Sequence, residues 1–167
     1  ALKENIRKLW WKRFRDNRDD IYAVDAAILM NGSVWRTTGH LEGFADPLVK
    51  CSGCSKSFRA DLVEKPNSGS GHCPECARSL GEVEQFNTML ETHVGVGRGD
   101  DSLTYLRPET AQGMFVNFKN ILDSIHPKLP FGLAQIGKAF RNEISPRDFV
   151  FRAREFEQME IEYFVRE

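Results

Sequence analysis

The stretch Phe131–Val165, FGLAQIGKAFRNEISPRDFVFRAREFEQMEIEYFV, decides the fold of this chain. Two runs of alternating character flank a short break at 145–148, and this pattern predicts two antiparallel strands joined by a loop too long for a tight hairpin. Because successive side chains of a strand point to opposite faces, each run can be sorted by face. One face of the first strand is predicted to carry Gln135, Gly137, Ala139, Arg141 and Glu143. One face of the second strand is predicted to carry Val150, Arg152, Arg154, Phe156, Gln158 and Glu160.

The predicted face of the second strand is unusual for a surface that only meets solvent. It places two arginines beside a phenylalanine, followed by an amide and a carboxylate. Arginine donates paired hydrogen bonds to phosphate, an aromatic ring can stack on a purine, and a carboxylate can bind an ammonium group. The row therefore favours a site for a nucleotide and an amine. From the residues alone, the alternative is an exposed strand with cross-strand ion pairs.

The composition favours one soluble domain. The chain has 167 residues, with 23 basic and 24 acidic side chains, so its charge is nearly balanced. A balanced charge creates no overall field that would attract a polyanion, and any contact with RNA must therefore be local. No apolar run approaches the roughly 18 residues of a membrane span, and no signal-peptide pattern is present. We expect a cytoplasmic protein without a membrane partner.

The four cysteines form two close pairs separated by 18 residues. They are Cys51, Cys54, Cys73 and Cys76. Each C-x-x-C pair can bring two thiolates to one ion, and four thiolates satisfy tetrahedral Zn²⁺ without leaving an open position. In a reducing compartment this spacing favours a metal site over disulfides. The sequence therefore predicts a structural zinc ribbon, inserted at about 48–82, with His72 as an alternative ligand to its neighbour.

The rest of the chain divides into short strands and two amphipathic helices. Apolar residues recur at helical spacing from Leu2 to about Asn17 and from Thr110 to about Ser124, with Thr110 as the predicted N-cap. Strands are predicted at Ile21–Met30, Phe86–Val94 and Leu103–Leu106, a short helix or turn at Val34–His40, and a loop at Gly43–Pro47. Successive strands with few helices are typical of an α+β fold rather than a Rossmann-type fold.

Three short features leave alternatives open. His40 lies in a predicted loop, where a histidine is more often structural than catalytic. The glycines of Gly95-x-Gly97-x-Gly99 are interpreted as a turn, because no Lys-Ser/Thr and no helix follow them. The stretch 67–71, NSGSG, resembles an engineered flexible linker, although a natural loop can have the same composition.

Several strings of the chain resemble a known family. Those in the hairpin, Phe140–Glu143, Arg152 and Arg154–Phe156, are similar to motif 2 of class II aminoacyl-tRNA synthetases. Three more resemble signature strings of the glycyl-tRNA synthetase family and occur in its order, namely Leu106–Gly113, Leu129–Gly132 and Glu155–Glu160. The resemblance extends over essentially the whole chain.

The resemblance implies a fold and a domain organisation. The fold is an antiparallel β-sheet class II synthetase core flanked by helices, with the four-cysteine ribbon as an appendage. Residues 1–167 are expected to form a partial catalytic domain that lacks the third motif and the anticodon-binding domain of the family. The first helix resembles that of motif 1, which implies a homodimer through a motif 1 region that is incomplete here.

The resemblance also assigns residues to substrates. Those implied for ATP are Arg141, Asn142, Glu143, Phe151, Arg152, Arg154, Glu155 and Phe156. Those implied for glycine are Arg59, Glu109, Phe156, Glu157, Gln158, Met159 and Glu160. Arg141 is the implied catalytic residue, bridging the α-phosphate and the glycine carboxylate, and Glu109 and Glu160 are implied to hold the ammonium group. Mg²⁺ is expected with ATP.

The implied reaction activates glycine with ATP to glycyl-adenylate and then transfers glycine to its tRNA. The attacking carboxylate is already ionised, so the chemistry requires positioning and charge neutralisation rather than a protein base. Two alternatives stay open. One is a non-catalytic synthetase-like module, and the other is a zinc-ribbon module that binds nucleic acid.

Overall fold

The computed structural model describes residues 1–63, 71–146, 149 and 151–167. The predicted linker at 67–71 therefore lies outside the described residues except for Gly71. The helices are α1 (Leu2–Trp11), continued by a π-helical turn at Lys12–Asp16, α2 (Gly32–Thr37), α3 (His40–Gly43) and α4 (Ala111–Ile125). None of these helices is long and apolar enough to cross a membrane.

Nine strands of the described residues form three sheets of three strands each. They are β1 (Ile21–Ala23), β2 (Leu29–Met30), β3 (Ala45–Lys50), β4 (Ser57–Arg59), β5 (Glu84–Asn87), β6 (Leu90–His93), β7 (Leu103–Leu106), β8 (Phe131–Phe140) and β9 (Glu155–Phe164). The sheet orders are β1-β8-β9, β2-β7-β6 and β4-β3-β5. The fold is thus mixed α/β with mainly antiparallel sheets.

The predicted antiparallel pair is present as the long hairpin β8–β9. Its register begins with Phe131 opposite Phe164 and ends with Phe140 opposite Glu155. The predicted antiparallel character of the sheet is confirmed for this pair, whereas β1 pairs with β8 in parallel.

Four residues that were predicted on the strand faces, Arg141, Glu143, Arg152 and Arg154, lie beyond the ends of β8 and β9. The strands are therefore shorter than the alternating pattern predicted. Val150, predicted on the same face, lies outside the described residues.

One face of the β8–β9 hairpin carries both the core and the candidate site. At one end, Phe131 and Leu133 are buried against Met114 of α4, with Phe118 and Phe164 packed around them. At the other end, the same face carries Gln135, Gly137, Phe156, Gln158 and Glu160, because directly opposed residues share a face. The apolar side of α4 therefore covers the half of the face that contains Phe131 and Leu133, and this helix leaves the polar half uncovered.

A buried arginine joins three segments on this polar half. Arg107 is only 2% exposed, and it donates from Nε to the carbonyl of Lys138 and from Nη1 to the carbonyl of Ala26, both at 2.7 Å. Gln135 accepts from Arg107 Nη1 at 2.8 Å when its amide oxygen faces the guanidinium. Burial lowers the pKa of Arg107, and the nearby charge of Asp25 opposes this effect.

Three boundaries differ from the sequence prediction. The predicted strand Ile21–Met30 is divided between β1 and β2, because the Ala26 carbonyl accepts from Arg107 instead of a strand partner. The predicted strand Phe86–Val94 is divided between β5 and β6, where the backbone and side chain of Thr88 both donate to the carbonyl of Phe44. The predicted loop Gly43–Pro47 instead enters β3, whose Ala45 pairs with β5.

Candidate active site and candidate metal centre

A cleft of about 270 Å³ opens at the end of the β8–β9 hairpin. Its lining includes Phe44, Asp46, Arg59, Arg141, Glu143 and Arg152. These side chains come from the segment that enters β3, from β4 and from the two segments that flank the hairpin loop. The fold thus brings together four residues that the sequence analysis assigned to ATP or glycine, namely Arg59, Arg141, Glu143 and Arg152.

Arg141 is clamped at the cleft by two aromatic rings and one carbonyl. Its guanidinium carbon lies 5.2 Å from the centroid of the Phe44 ring and 5.3 Å from that of Phe156. Its Nε donates to the carbonyl of Pro108 at 3.1 Å. In the part of the chain that the structure describes, this is the one hydrogen bond of the guanidinium. A planar cation held in this way keeps its terminal N–H groups available for an anion.

Glu143 contacts two arginines, one through its carboxylate and the other through its backbone carbonyl. Arg152 Nε approaches the Glu143 carboxylate to 3.8 Å, at the cleft. Arg154 instead donates from Nε and Nη2 to the backbone carbonyl of Glu143, at 3.3 and 3.1 Å. Arg154 also accepts at its own carbonyl from the Arg141 amide at 3.0 Å. Arg154 therefore closes the base of the loop, whereas Arg152 and the Glu143 carboxylate face the cleft.

Arg59 reaches the cleft from β4. It pairs with Asp46, and it donates from Nε and Nη2 to Asp61 at 3.1 and 2.9 Å. The hydrogen bonds with Asp61 raise the pKa of Arg59, and those with Arg59 lower the pKa of Asp61. Asp46 and Arg59 belong to paired strands, and β3 continues from Asp46 to Lys50, directly before Cys51. The cleft and the cysteine cluster therefore share one strand.

Glu160 and Gln158 are both bound by Thr110, the residue before α4. The Thr110 hydroxyl donates to the Glu160 carboxylate, and the Thr110 amide donates to Gln158 Oε1 at 3.1 Å. Thr110 is the N-cap residue of α4, as predicted, but its side chain forms no capping hydrogen bond, because it donates to Glu160 instead. Its backbone already has a helical conformation, with φ −91° and ψ −15°, rather than the extended one that N-caps adopt.

Glu109 lies next to His40, which the sequence analysis left as a structural or catalytic histidine. His40 Nε2 is 3.4 Å from Glu109 Oε1, and the amide of Gln112 donates to the same oxygen at 2.7 Å. The imidazole is buried between the rings of Trp35 and Phe44, at centroid distances of 5.4 and 5.2 Å. Sequence reasoning had no signal for this contact, because 40 and 109 are far apart in the chain and belong to no common motif.

The negative charges on this face are not neutralised by protein cations. Among the described residues, neither Glu109 nor Glu160 forms a salt bridge with a lysine or an arginine. Glu162 lies two residues further along the same face of β9. Burial raises the pKa of Glu162, and the charges of Glu160 and Glu109 raise it further. This end of the face is therefore suited to a small cation.

Three of the residues predicted to bind substrate lie on the opposite face of β9. Glu155 pairs with Lys138, and Met159 is on the same side of the strand. Glu157 binds Lys3 at 2.5 Å and Arg7 at 3.5 Å, and the hydrogen bond with Lys3 lowers its pKa. Strand alternation thus divides the string Glu155–Glu160 between two faces. Phe151 lies apart as well, with 90% of its surface exposed.

The four cysteines meet at one point of the ribbon. All four sulfur atoms lie within 4.8 Å of one another, with 3.4 Å between Cys51 and Cys76 and 3.7 Å between Cys54 and Cys73. All four are free thiols. A tetrahedral zinc with Zn–S bonds of about 2.3 Å would set its sulfurs about 3.8 Å apart. The cluster therefore fits one metal ion.

The two C-x-x-C turns have matching backbone geometry. Ser55 donates to the carbonyl of Cys51 at 3.2 Å, and Ala77 donates to that of Cys73 at 2.9 Å. Both donors have left-handed backbones, with φ of 57° and 58°. The amides of Cys54 and Gly53 also point at the Cys51 sulfur and lower its pKa to about 6.

His72 does not belong to the group of metal-ligating side chains in the described residues. It pairs instead through its backbone with Ser79. The alternative that His72 replaces a cysteine as ligand is therefore not supported.

Comparisons with known proteins find relatives that align with nearly the whole chain. The chain is 54% identical to a glycine–tRNA ligase of Treponema pallidum strain Nichols over 166 residues, which cover 99% of this chain and 36% of that ligase. It is 50% identical to the ligase of Treponema denticola over 165 residues, covering 99% of this chain and 37% of that protein. For the ligase of Ureaplasma parvum serovar 3, the identity is 46% over 187 aligned residues, covering 99% and 40%. No protein-family model matches the chain.

The fold has a solved counterpart as well. A crystal structure of the RNA binding domain of threonyl-tRNA synthetase from Cryptosporidium parvum Iowa II is similar, with a TM-score of 0.53 and 19% identity over 98% of this chain and 28% of that one. This likeness concerns the fold alone. The sequence relatives make the chain a homologue of aminoacyl-tRNA synthetases. More narrowly, it is a homologue of the glycine–tRNA ligases and spans about two fifths of their length or less.

Proposed function

We propose that this chain carries the site at which glycine is activated with ATP to glycyl-adenylate, and that it serves the transfer of glycine to its tRNA as part of a longer cytoplasmic protein. The observation that carries the proposal is the clamped Arg141 guanidinium, which lies beside a face of uncompensated carboxylates. A fixed cation suits a phosphate, and the carboxylates suit an ammonium group. Glycyl-adenylate carries both groups.

Arg141 acts in this proposal by positioning and by charge. A carboxylate oxygen of glycine forms a bond to the α-phosphorus of ATP, and the bond from that phosphorus to the bridging oxygen breaks as pyrophosphate leaves. No proton has to move, because the attacking carboxylate is already ionised. Arg141 binds the α-phosphate and the glycine carboxylate at once, and it offsets the charge that grows on the phosphate oxygens. Mg²⁺ enters as the counter-ion of ATP and is part of that substrate.

The groups around Arg141 bind the rest of the nucleotide. Phe156 stacks on the adenine, and Glu143 accepts a hydrogen bond from the adenine amino group. Arg152, which lies 3.8 Å from the Glu143 carboxylate, turns to the outer phosphates. Asn142 contributes through the backbone, since its amide donates to Thr88 at 2.7 Å and thereby fixes the start of the loop.

Glycine is bound by the two carboxylates that lack a protein cation. Glu109 and Glu160 hold the ammonium group. Gln158 accepts a hydrogen bond from the Thr110 amide and thereby fixes the start of α4 beside this group. Arg59 contributes from the ribbon side of the cleft. Glu157 and Met159 are left out of this proposal, because β9 directs them to the face that packs on α1.

The fold also supports assignments of the core, the metal and the oligomeric state. We assign the sheet β1-β8-β9 with α4 to the core of a class II synthetase, and the cysteine cluster to one structural zinc. The zinc holds the two C-x-x-C turns together when bound, while the cleft is built by the chain's own side chains. α1 leaves Leu2 and Leu9 largely exposed, at 74% and 68%, which is consistent with a homodimer through this helix.

The test is glycine-dependent exchange between ATP and pyrophosphate. The chain should catalyse exchange with glycine and not with alanine, and Glu160→Gln should weaken glycine binding about tenfold or more with little effect on ATP, since charge-assisted hydrogen bonds contribute roughly 1.5 to 3 kcal/mol. The control is Glu84→Gln, an exposed substitution on β5. Absence of exchange, together with no binding of a non-hydrolysable glycyl-adenylate analogue, would favour a non-catalytic module.

A further inference from the structure

Two buried side chains converge on one oxygen of Glu109. Gln112 donates from Nε2 to Oε1 at 2.7 Å, and His40 Nε2 lies 3.4 Å from the same atom. Gln112 is 8% exposed and His40 is 9% exposed. In the described part of the chain, Glu109 Oε2 has no hydrogen-bond partner. The carboxylate is thus held by one oxygen and open at the other.

The contacts of both ring nitrogens of His40 bear on which of them carries the proton. His40 Nδ1 lies 2.8 Å from the hydroxyl of Thr38. That hydroxyl also lies 2.9 Å from the carbonyl of Val34, so its single proton has two competing acceptors. We assign the hydroxyl proton to Nδ1 and the ring proton to Nε2, which then donates to Glu109, because an unprotonated Nε2 would repel the Glu109 oxygen that lies 3.4 Å away.

The imidazole has little freedom to turn away from Glu109. Trp35 is fully buried on one side of it, and Phe44 packs on the other at 5.2 Å. Phe44 also contacts the Arg141 guanidinium. The same ring therefore supports the cation that faces the phosphate and the histidine that faces the carboxylate.

We propose that His40 and Gln112 are positioning residues that fix Glu109 through Oε1, so that Oε2 is presented to the ammonium group of the amino acid. This inference rests on the proposed function and identifies the parts of the chain that orient its amine subsite. A neutral donor suits this task, because it orients the carboxylate without cancelling its charge, whereas a lysine or an arginine would form an ion pair and compete with the ligand. Gln112 lies in the first turn of α4, whose start is also bound to Glu160 through Thr110.

The test uses two synthetic ligands that differ only in the amine. Calorimetry gives the affinities of glycyl-sulfamoyl-adenosine and of acetyl-sulfamoyl-adenosine, which lacks the ammonium group, and their ratio is the amine preference. His40→Phe keeps an aromatic ring between Trp35 and Phe44 but removes the donor, and it should reduce the preference about tenfold. His40→Gln places an amide donor near the position of Nε2 and should restore most of it. The affinity for the acetyl compound should stay the same in all variants.

Two further substitutions make the test decisive. His93→Phe, an exposed histidine that contacts Ser102, should leave the preference unchanged. Gln112→Met keeps the volume of the side chain, removes the second donor and provides a second test if His40→Phe does not fold. A full preference in a folded His40→Phe or Gln112→Met variant would overturn the positioning role and leave the proposed function intact. A parent chain that binds both compounds equally would contradict the amine subsite itself.

Discussion

Gly137 lies directly against the guanidinium of Arg107. A Cβ atom on Gly137 would come within 2.3 Å of Arg107 Nη2, and that guanidinium cannot retreat easily, since it is buried and bound to the carbonyls of Lys138 and Ala26. The absence of a side chain at Gly137 therefore leaves the space that the Arg107 guanidinium occupies against β8.

Gly137→Ala should consequently destabilise the fold by about 1 to 3 kcal/mol, because the added methyl group displaces a hydrogen-bonded buried cation. Urea denaturation measures this change in the free energy of unfolding. Gly97→Ala is the matched control, since a Cβ there would have no atom within 4 Å. Equal midpoints for the two variants would show that Arg107 adapts without cost.

Arg141→Ala should lower the rate of adenylate formation by about 100- to 1000-fold, by analogy with the loss of a single transition-state donor. Arg141→Lys should recover only part of this loss, since lysine keeps the charge but lacks the planar pair of donors. Pyrophosphate exchange gives the rates. Arg98→Ala, at an exposed arginine in the β6–β7 loop, is the control and should retain the parent rate. Retention of exchange by Arg141→Ala would exclude the mechanism proposed for this residue.

The purified chain should contain about one zinc ion, as measured by elemental analysis. Cys73→Ser should abolish the metal and increase hydrogen exchange in β3 and β4, while the amides of β8 and β9 stay protected, because the two regions have separate cores. Ser79→Ala, beside the cluster, should keep the metal. A metal-free chain with two disulfides would contradict the assignment.

The ionisation of Glu162 should make the stability of the fold depend on pH. Its pKa is raised in the folded chain by burial and by the charges of Glu160 and Glu109. A carboxyl group whose folded pKa is raised binds its proton more tightly in the folded state, so its contribution to stability is greatest below the usual glutamate pKa and is lost as the pH rises through the raised value.

Glu162→Gln should therefore melt at a higher temperature than the parent at neutral pH, and the difference should shrink in acid below the usual glutamate pKa. Thermal unfolding followed by circular dichroism over this pH range measures the effect. The matched substitution is Glu42→Gln, at an exposed site outside the acidic group. A Glu162→Gln variant that is less stable than the parent at neutral pH would contradict the direction of the shift.

Patterns within short stretches of the sequence predicted the elements that short-range interactions along the chain determine. The β8–β9 hairpin, α4 and the cysteine cluster each follow from periodicity or spacing within a short stretch. The alternating pattern extended the two strands too far, to Arg141 and Arg152, because the hydrogen-bond ladder ends at Phe140 and resumes at Glu155. The contact between His40 and Glu109 could not be predicted, since it depends on how α3 and the start of α4 pack together and leaves no periodic signal in either segment.

The strand β3 has a consequence for how the cleft keeps its shape. Asp46, the partner of Arg59, lies at its cleft end, and Cys51 follows its other end. The five residue steps from Asp46 to Cys51 span about 17 Å of nearly continuous strand. The strand that carries the partner of Arg59 is thus joined directly to the sulfur cluster. Oxidation of those thiols should therefore disturb the strand on which Asp46 lies, without any change in the residues of the cleft itself.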